Sequence, residues 1–178
     1  TAELRTCWEL EPRSELAARA AALLATIATN NADAATALGW SREALRLGAE
    51  LGCDAGFAAT MLASAWALTG DLEAGERELA QWGAQLASGP SNLDVAFAHG
   101  LLSLWRGALA ETIERLEPIA ELGLGGGRGP LLTIASAQYT LADAWFRTGR
   151  WDEAVTLAET LAEWLDDADQ PRPAPMAH

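Results

Sequence analysis

One pattern occurs three times in this chain of 178 residues. Each copy contains the end of an apolar helix, a short turn with one glycine, and the start of an amphipathic helix. The copies are ALTGDLEAGERELA at 67–80, LWRGALAETIERLE at 104–117 and FRTGRWDEAVTLAE at 146–159, with turn glycines Gly70, Gly107 and Gly149. The turn glycines are 37 and 42 residues apart. Recurrence at such intervals is typical of helical-repeat arrays, in which each hairpin of helices stacks on the next.

Hydrophobic periodicity predicts eight helices, at 14–30, 33–51, 54–69, 71–87, 92–106, 108–122, 130–148 and 150–166. Residues that favour helix starts precede several of them: Ser14, Asp54, Asp71, and the pair Ser91 and Asp94, which is spaced like a capping box. The helices pair as four antiparallel hairpins. The first hairpin has Ala32 where the other three have a turn glycine.

Small and large residues alternate at fixed distances from the turn glycines. Small residues stand seven positions before and five positions after the glycine, where they let two helices approach closely. They are Ala63, Gly100, Ala142, Gly75, Thr112 and Ala154. Trp66, Trp145 and Trp151 are interpreted as core residues that fill the space between helices, whereas core and groove positions are equally expected for Trp105.

This order of residues resembles the tetratricopeptide repeat, most closely in LADAWFRTGRWDEAV at 141–155. The resemblance implies an all-α fold, an α-α superhelix of about four antiparallel helical hairpins. We therefore expect a tetratricopeptide-like domain at 14–166. Residues 1–13 are interpreted as the remnant of a preceding segment or repeat, and the proline-rich residues 167–178 as a disordered tail.

The inner wall of such a superhelix is the predicted binding groove. The inward positions expected at its carboxyl end combine aromatic and charged residues, as binding sites do: Phe97, Leu101, Trp105, Tyr139, Asp143, Phe146 and Arg147. Thr60 and Asp94 are also expected to face inward. The alternative is that Phe97, Tyr139 and Phe146 pack between hairpins.

Charge and composition exclude several functions. The formal net charge is −13 and all 12 basic residues are arginine, so we expect no direct contact of this segment with nucleic acid. Without lysine the chain has neither a Walker A loop nor a Schiff-base lysine. The two cysteines and two histidines lack zinc-ligand spacing, and no apolar run is long enough to span a membrane. We expect no metal, no cofactor and no membrane contact.

Catalysis has little support in the sequence. Asp143 with His99 is the one acid–base pair to consider, and neither has a nucleophile or a metal ligand as a neighbour in the pattern. The glycine-rich segment 121–132 contains five glycines between Gly123 and Gly129, but its spacing is not that of a dinucleotide-binding loop. We interpret it as a flexible connection between repeats, and we expect no catalytic residues.

A narrower resemblance concerns the first two hairpins. AALLATIATNNADAATALGWSREALRLGAELG at 21–52 and AWALTGDLEAGERELAQW at 65–82 resemble the repeat region of large ATP-binding LuxR-type regulators related to the maltose activator. The chain starts at Thr1, and we interpret it as a segment of a longer protein. The resemblance implies a non-enzymatic cytoplasmic sensor or scaffold domain, with a protein, peptide or small-molecule inducer in the groove. The alternative is a stand-alone adaptor that binds a peptide or protein. Weak homodimerisation through the ends of the array is also expected.

Overall fold

The computed structural model describes residues 1–89, 91–123 and 131–167, and these residues contain nine helices and no strand. The prediction of an all-α chain is confirmed. The helices are α1 (Ala2–Leu10), α2 (Glu15–Asn30), α3 (Ala34–Leu51), α4 (Ala58–Thr69), α5 (Leu72–Leu86), α6 (Asn92–Trp105), α7 (Leu109–Ala120), α8 (Leu131–Arg147) and α9 (Trp151–Asp167). Helices α2 to α9 correspond to the eight that the sequence predicts. None of the nine is long and apolar enough to cross a membrane.

Helix α1 was not predicted. It packs along α2, and its Trp8 lies against Ala18 and Leu47 and meets Trp40 edge-on, with 5.5 Å between ring centroids. Its nine residues are too few to show a clear apolar period, so its helical state depends on this packing. That segment 1–13 derives from a preceding repeat stays a prediction, and most of the expected disordered tail, 168–178, lies outside the described residues.

Two of the four predicted helix caps are present. The Ser14 and Asp71 side chains accept hydrogen bonds from Ala17 N–H and Ala74 N–H, at 3.1 and 2.9 Å. Asp54 does not cap α4, because that helix begins four residues later and the carboxylate accepts from Gly56 N–H instead. The intervening turn contains a glycine with φ of 63°, a conformation that delays the start of the helix.

The chain forms two compact units, residues 1–107 and 108–178. In the amino-terminal unit, α2 packs on α3 and α4, and α4 packs on α3, α5 and α6. Its core is built mainly from alanine and leucine, so the helices approach closely. In the carboxyl-terminal unit, α8 packs between α7 and α9. The turn glycines Gly70, Gly107 and Gly149 all have positive φ, which explains their recurrence in the sequence.

Gly75 marks a close approach of three helices within the amino-terminal unit. A Cβ atom at this position would lie 3.0 Å from Trp66 Cβ and 3.2 Å from Leu102 Cδ1. Glycine is therefore favoured here by the tight contact between α4, α5 and α6, since its φ is not in the left-handed region. The predicted small positions Ala63, Thr112 and Ala154 are buried as well.

We expect Gly75→Ala to lower the free energy of unfolding by about 1–3 kcal/mol, because the added methyl group overpacks the core. Gly39→Ala is the matched control, since a Cβ at Gly39 meets nothing within 4 Å and the residue lies inside α3. There the helix propensity of alanine should raise stability by about 0.5–1 kcal/mol. Urea denaturation followed by circular dichroism measures both. Equal effects of the two substitutions would contradict the packing described for Gly75.

Candidate binding surfaces

The seven predicted groove residues lie on two helices, three on α6 in the amino-terminal unit and four on α8 in the carboxyl-terminal unit. On α6, the three residues have different environments. Phe97 is 2% exposed, Leu101 is half-buried, and Trp105, the last residue of the helix, is 40% exposed.

Phe97 is a packing residue, and its prediction as a groove residue is wrong. Its ring stacks on Phe57, next to the start of α4, with 5.9 Å between centroids and 30° between planes. Thr60 and Asp94, also expected to face inward, are 3% and 2% exposed. The face of α6 that was expected to line the groove instead packs on α4 over this part of its length, because the two helices approach closely through alanine.

Asp94 forms a buried polar link between α6 and α4. Its Oδ2 accepts a hydrogen bond from Ala59 N–H at 2.8 Å, and its Oδ1 accepts from the Thr60 hydroxyl at 2.6 Å. Ser91 Oγ similarly accepts from Ala55 N–H at 2.9 Å. The predicted capping box within α6 is therefore wrong, because both side chains satisfy backbone groups at the amino end of α4.

The burial of Asp94 perturbs its acidity. Desolvation raises the pKa of the carboxyl group to about 7, and the hydrogen bonds from Thr60 and Ala59 oppose this rise only in part. A shifted carboxyl group can indicate an active site, but Asp94 is 2% exposed and both of its oxygens accept hydrogen bonds from α4. The arrangement stabilises the stacking of helices.

A second cluster joins α3, α4 and α5. Glu78 accepts two hydrogen bonds from Arg42, at 2.7 and 2.8 Å, and one from Trp66 Nε1 at 2.9 Å. Burial acts to raise the pKa of Glu78, but these hydrogen bonds outweigh it and hold the pKa below its usual value. A shallow cleft of about 290 Å³ lies beside the cluster, between α3 and α5. Because Glu78 and Arg42 bind each other, we interpret this cluster as a structural clamp.

His99 and Asp143 each have their own partner. His99 Nδ1 lies 2.6 Å from Glu76 Oε2, and Asp143 Oδ2 lies 3.6 Å from Arg147 Nη1. The acid–base pair considered from the sequence therefore has no support. Within residues 1–89, 91–123 and 131–167, no group of histidine, cysteine and acidic side chains could hold a metal ion. Most of the glycine-rich connection, 124–130, lies outside the described residues.

The four predicted residues on α8 share one exposed face. Tyr139 and Phe146 are 52% and 61% exposed, and the ion pair Asp143–Arg147 lies beside them. Leu132, which the sequence analysis did not single out, extends this face by two turns and is 64% exposed. We call Leu132, Tyr139, Asp143, Phe146 and Arg147 the α8 ridge. The opposite face of α8 is buried and includes Ile134, Ala137, Leu141 and Ala144.

Helix α9 also exposes apolar side chains. Trp151 is 62% exposed and Val155, one turn later, is exposed too. The interpretation of Trp151 as a core residue is wrong, since its ring faces solvent while its Nε1 donates to Phe146 O at 3.1 Å. Trp145, also interpreted as a core residue, is half-buried, and the Arg150 guanidinium lies 4.5 Å from its ring centroid. An open cleft of about 430 Å³ lies beside Trp145 and the first turns of α9.

Solved structures show which fold this arrangement of hairpins represents. The crystal structure of a substituted form of a Podosopora anserina protein, described as a kinesin light chain with nearly identical TPR-like repeats, matches with a TM-score of 0.57. It is 21% identical, over 84% of this chain and 74% of that one. The chain has a tetratricopeptide-like repeat fold. A second structure of the Podosopora anserina repeats matches with a TM-score of 0.53 and 19% identity, over 94% of this chain and 86% of that one.

These comparisons confirm the predicted fold class, an α-α superhelix of tetratricopeptide-like hairpins. No protein-family model matches the chain, and no curated protein does. The narrower resemblance to LuxR-type regulators therefore stays a prediction.

Proposed function

We propose that this chain is a non-enzymatic scaffold domain that binds a protein partner through the α8 ridge. The observation that supports this is the exposure of Leu132, Tyr139 and Phe146 along a single helix face. Large apolar side chains that stand together at a surface are a feature of interaction sites, and aromatic residues commonly dominate their binding energy. The ion pair Asp143–Arg147 provides polar contacts at the edge of this apolar surface.

A protein suits this ridge better than a small-molecule inducer. Small ligands bind in concave sites that enclose most of their surface. The three apolar side chains of the ridge are each more than half exposed, so they offer a contact surface and no enclosure. The carboxylate of the ridge is paired with arginine, which favours binding over catalysis.

The narrower proposal is that the domain serves in a cytoplasmic LuxR-type regulator, where partner binding would favour one of two states of the parent protein. The resemblance of residues 21–52 and 65–82 to the repeat region of such regulators supports it. The alternative is an adaptor without a role in transcription. Sequencing the parent gene separates the two, because only the regulator predicts a P-loop ATPase before this segment and a helix-turn-helix domain after it.

We expect the double substitution Tyr139→Ala/Phe146→Ala to weaken partner binding at least thirtyfold, since two exposed aromatic anchors together contribute about 2 kcal/mol or more. The free energy of unfolding should change by less than about 1 kcal/mol, because both side chains face solvent. Affinity purification with quantitative mass spectrometry identifies partners, and isothermal titration with the purified partner measures the change.

Leu23→Ala/Leu68→Ala is the matched control. Both leucines are about half exposed and lie on α2 and α4 of the other unit. This variant should retain the same partners at wild-type affinity. Partners that bind the ridge variant and the wild type equally would contradict the proposed role of α8.

A further inference from the structure

We propose that the partner contacts the α8 ridge with an amphipathic α-helix rich in basic residues. This inference rests on the proposed function and adds the class of partner. Three independent observations support it: the equivalence of α8 to a helix that is already covered by another helix, the spacing of the exposed side chains, and the charge of the carboxyl-terminal unit.

The first observation is that α8 has the same place in the fourth hairpin as α4 has in the second. Counted back from the turn glycines, Tyr139 occupies the position of Thr60, and Ser136 that of Phe57. In the second hairpin these positions are covered by α6, since Thr60 donates to Asp94 and Phe57 stacks on Phe97. The equivalent face of α8 is exposed at Tyr139. The fold therefore already contains a helix bound to the equivalent face, two repeats earlier.

The second observation is the spacing along the ridge. Leu132, Tyr139 and Phe146 are separated by seven residues each, and the half-buried Ala135 and Ala142 follow the first two by three residues. Large and small residues thus alternate in a heptad pattern, and the small ones leave room for side chains of a partner helix. Such a seam favours a partner that crosses at about 20°, the angle at which the side-chain ridges of one helix pack into the grooves of the other in heptad-based pairs.

An extended peptide does not match this spacing. The three large side chains recur every 10.5 Å or so along the helix axis, given a rise of about 1.5 Å per residue. A strand places side chains on one side every 6.6–6.8 Å or so, so its contacts fall out of step with the ridge. An α-helix has the same seven-residue repeat as the ridge and stays in register along its whole length.

The third observation is charge. The carboxyl-terminal unit contains twelve acidic and five basic residues, a formal charge of −7. A basic partner helix would be attracted to it, whereas a second copy of this chain, with a net charge of −13, would be repelled. Binding should therefore weaken as salt is added, because exposed charges are screened.

Two displayed peptide libraries test the inference against the immobilised chain. Both contain 21-residue peptides with the same basic composition and the same apolar residues. One library places the apolar residues at alternating spacings of three and four, the helical pattern, and the other at every second residue. We expect selection from the helical library only, with binding at least tenfold tighter than that of the best alternating peptide.

Controls locate the selected peptides. Their binding should fall at least thirtyfold for Tyr139→Ala/Phe146→Ala, stay unchanged for Leu23→Ala/Leu68→Ala, and weaken when a proline is placed at the centre of the peptide. The inference would be overturned by selection from the alternating library or by selection from neither library. It would also be overturned if the selected peptides bound the ridge variant and the wild type equally. Sedimentation velocity showing a dimer of this chain that the ridge variant abolishes would overturn it as well.

The outcomes for the two proposals are distinguishable. If natural partners are lost from the ridge variant while helical peptides fail to bind, the helix inference falls and the proposed function stands. If no natural partner depends on the ridge, the proposed function falls, whatever the libraries return.

Discussion

Asp94→Ala is expected to lower the free energy of unfolding of the amino-terminal unit by about 3–5 kcal/mol. The substitution removes the acceptor of two buried donors, Ala59 N–H and the Thr60 hydroxyl. Each buried donor left without a partner costs about 1–3 kcal/mol, and the lost carboxyl group leaves a cavity as well. Urea denaturation followed by circular dichroism measures the change.

Asp94→Asn is the matched control, because an amide has nearly the same shape and can bond to both groups. We expect it to cost less than about 1 kcal/mol near neutral pH. A loss of stability in Asp94→Asn as large as that in Asp94→Ala would show that the negative charge, and not the hydrogen bonds, holds α4 and α6 together.

The same pair of proteins yields a pH dependence with a definite sign. Burial raises the pKa of Asp94 from 3.8 to about 7, so the folded state binds a proton that the unfolded state releases. The stability that this proton contributes is fully present below pH 3.8 and is lost as the pH rises through about 7. We expect the wild type to lose stability relative to Asp94→Asn between these values, with a constant difference above them. Parallel pH profiles would contradict the assignment.

Trp66→Ala should have an effect of the same size, a loss of about 3–5 kcal/mol. Its ring packs against the core of the amino-terminal unit, and its Nε1 donates to Glu78. Truncation therefore removes apolar contacts, leaves a cavity beside Gly75 and takes one donor from a partly buried carboxylate. The measurement is again urea denaturation, with circular dichroism as the signal because the substitution changes tryptophan fluorescence.

Trp151→Ala is the informative comparison, because the sequence analysis predicts a core position for both tryptophans. The Trp151 ring is mostly exposed, so its truncation should cost less than about 1 kcal/mol. Equal destabilisation by the two substitutions would contradict the solvent-exposed position of the Trp151 ring on α9.

The helices and their pairing were predictable because their signals are local. A turn glycine with positive φ, an N-cap such as Asp71 and an apolar period lie within a few residues of the boundary that they determine. Helix α1 was missed because its state depends on packing of Trp8 against α2 and α3 residues. Its sequence carries no comparable local signal.

The candidate site was predictable only in part. Tyr139, Asp143, Phe146 and Arg147 do share a face of α8, as helical spacing requires. Leu132 was not predicted as a groove residue. It stands seven residues before Tyr139, and that interval was the signal that would have found it. Phe97 has a similar place in the pattern but is covered by Phe57, a residue 40 positions earlier that periodicity within α6 cannot reveal.

The sequence by itself determined the helical hairpins, their turns and the small residues through which they pack, because each depends on neighbours a few residues away. The tertiary structure alone decided which aromatic side chains are covered and where the carboxylate of Asp94 binds. Burial is a property of the space between helices, and equivalent positions such as Thr60 and Tyr139 differ because a helix lies over one and solvent over the other.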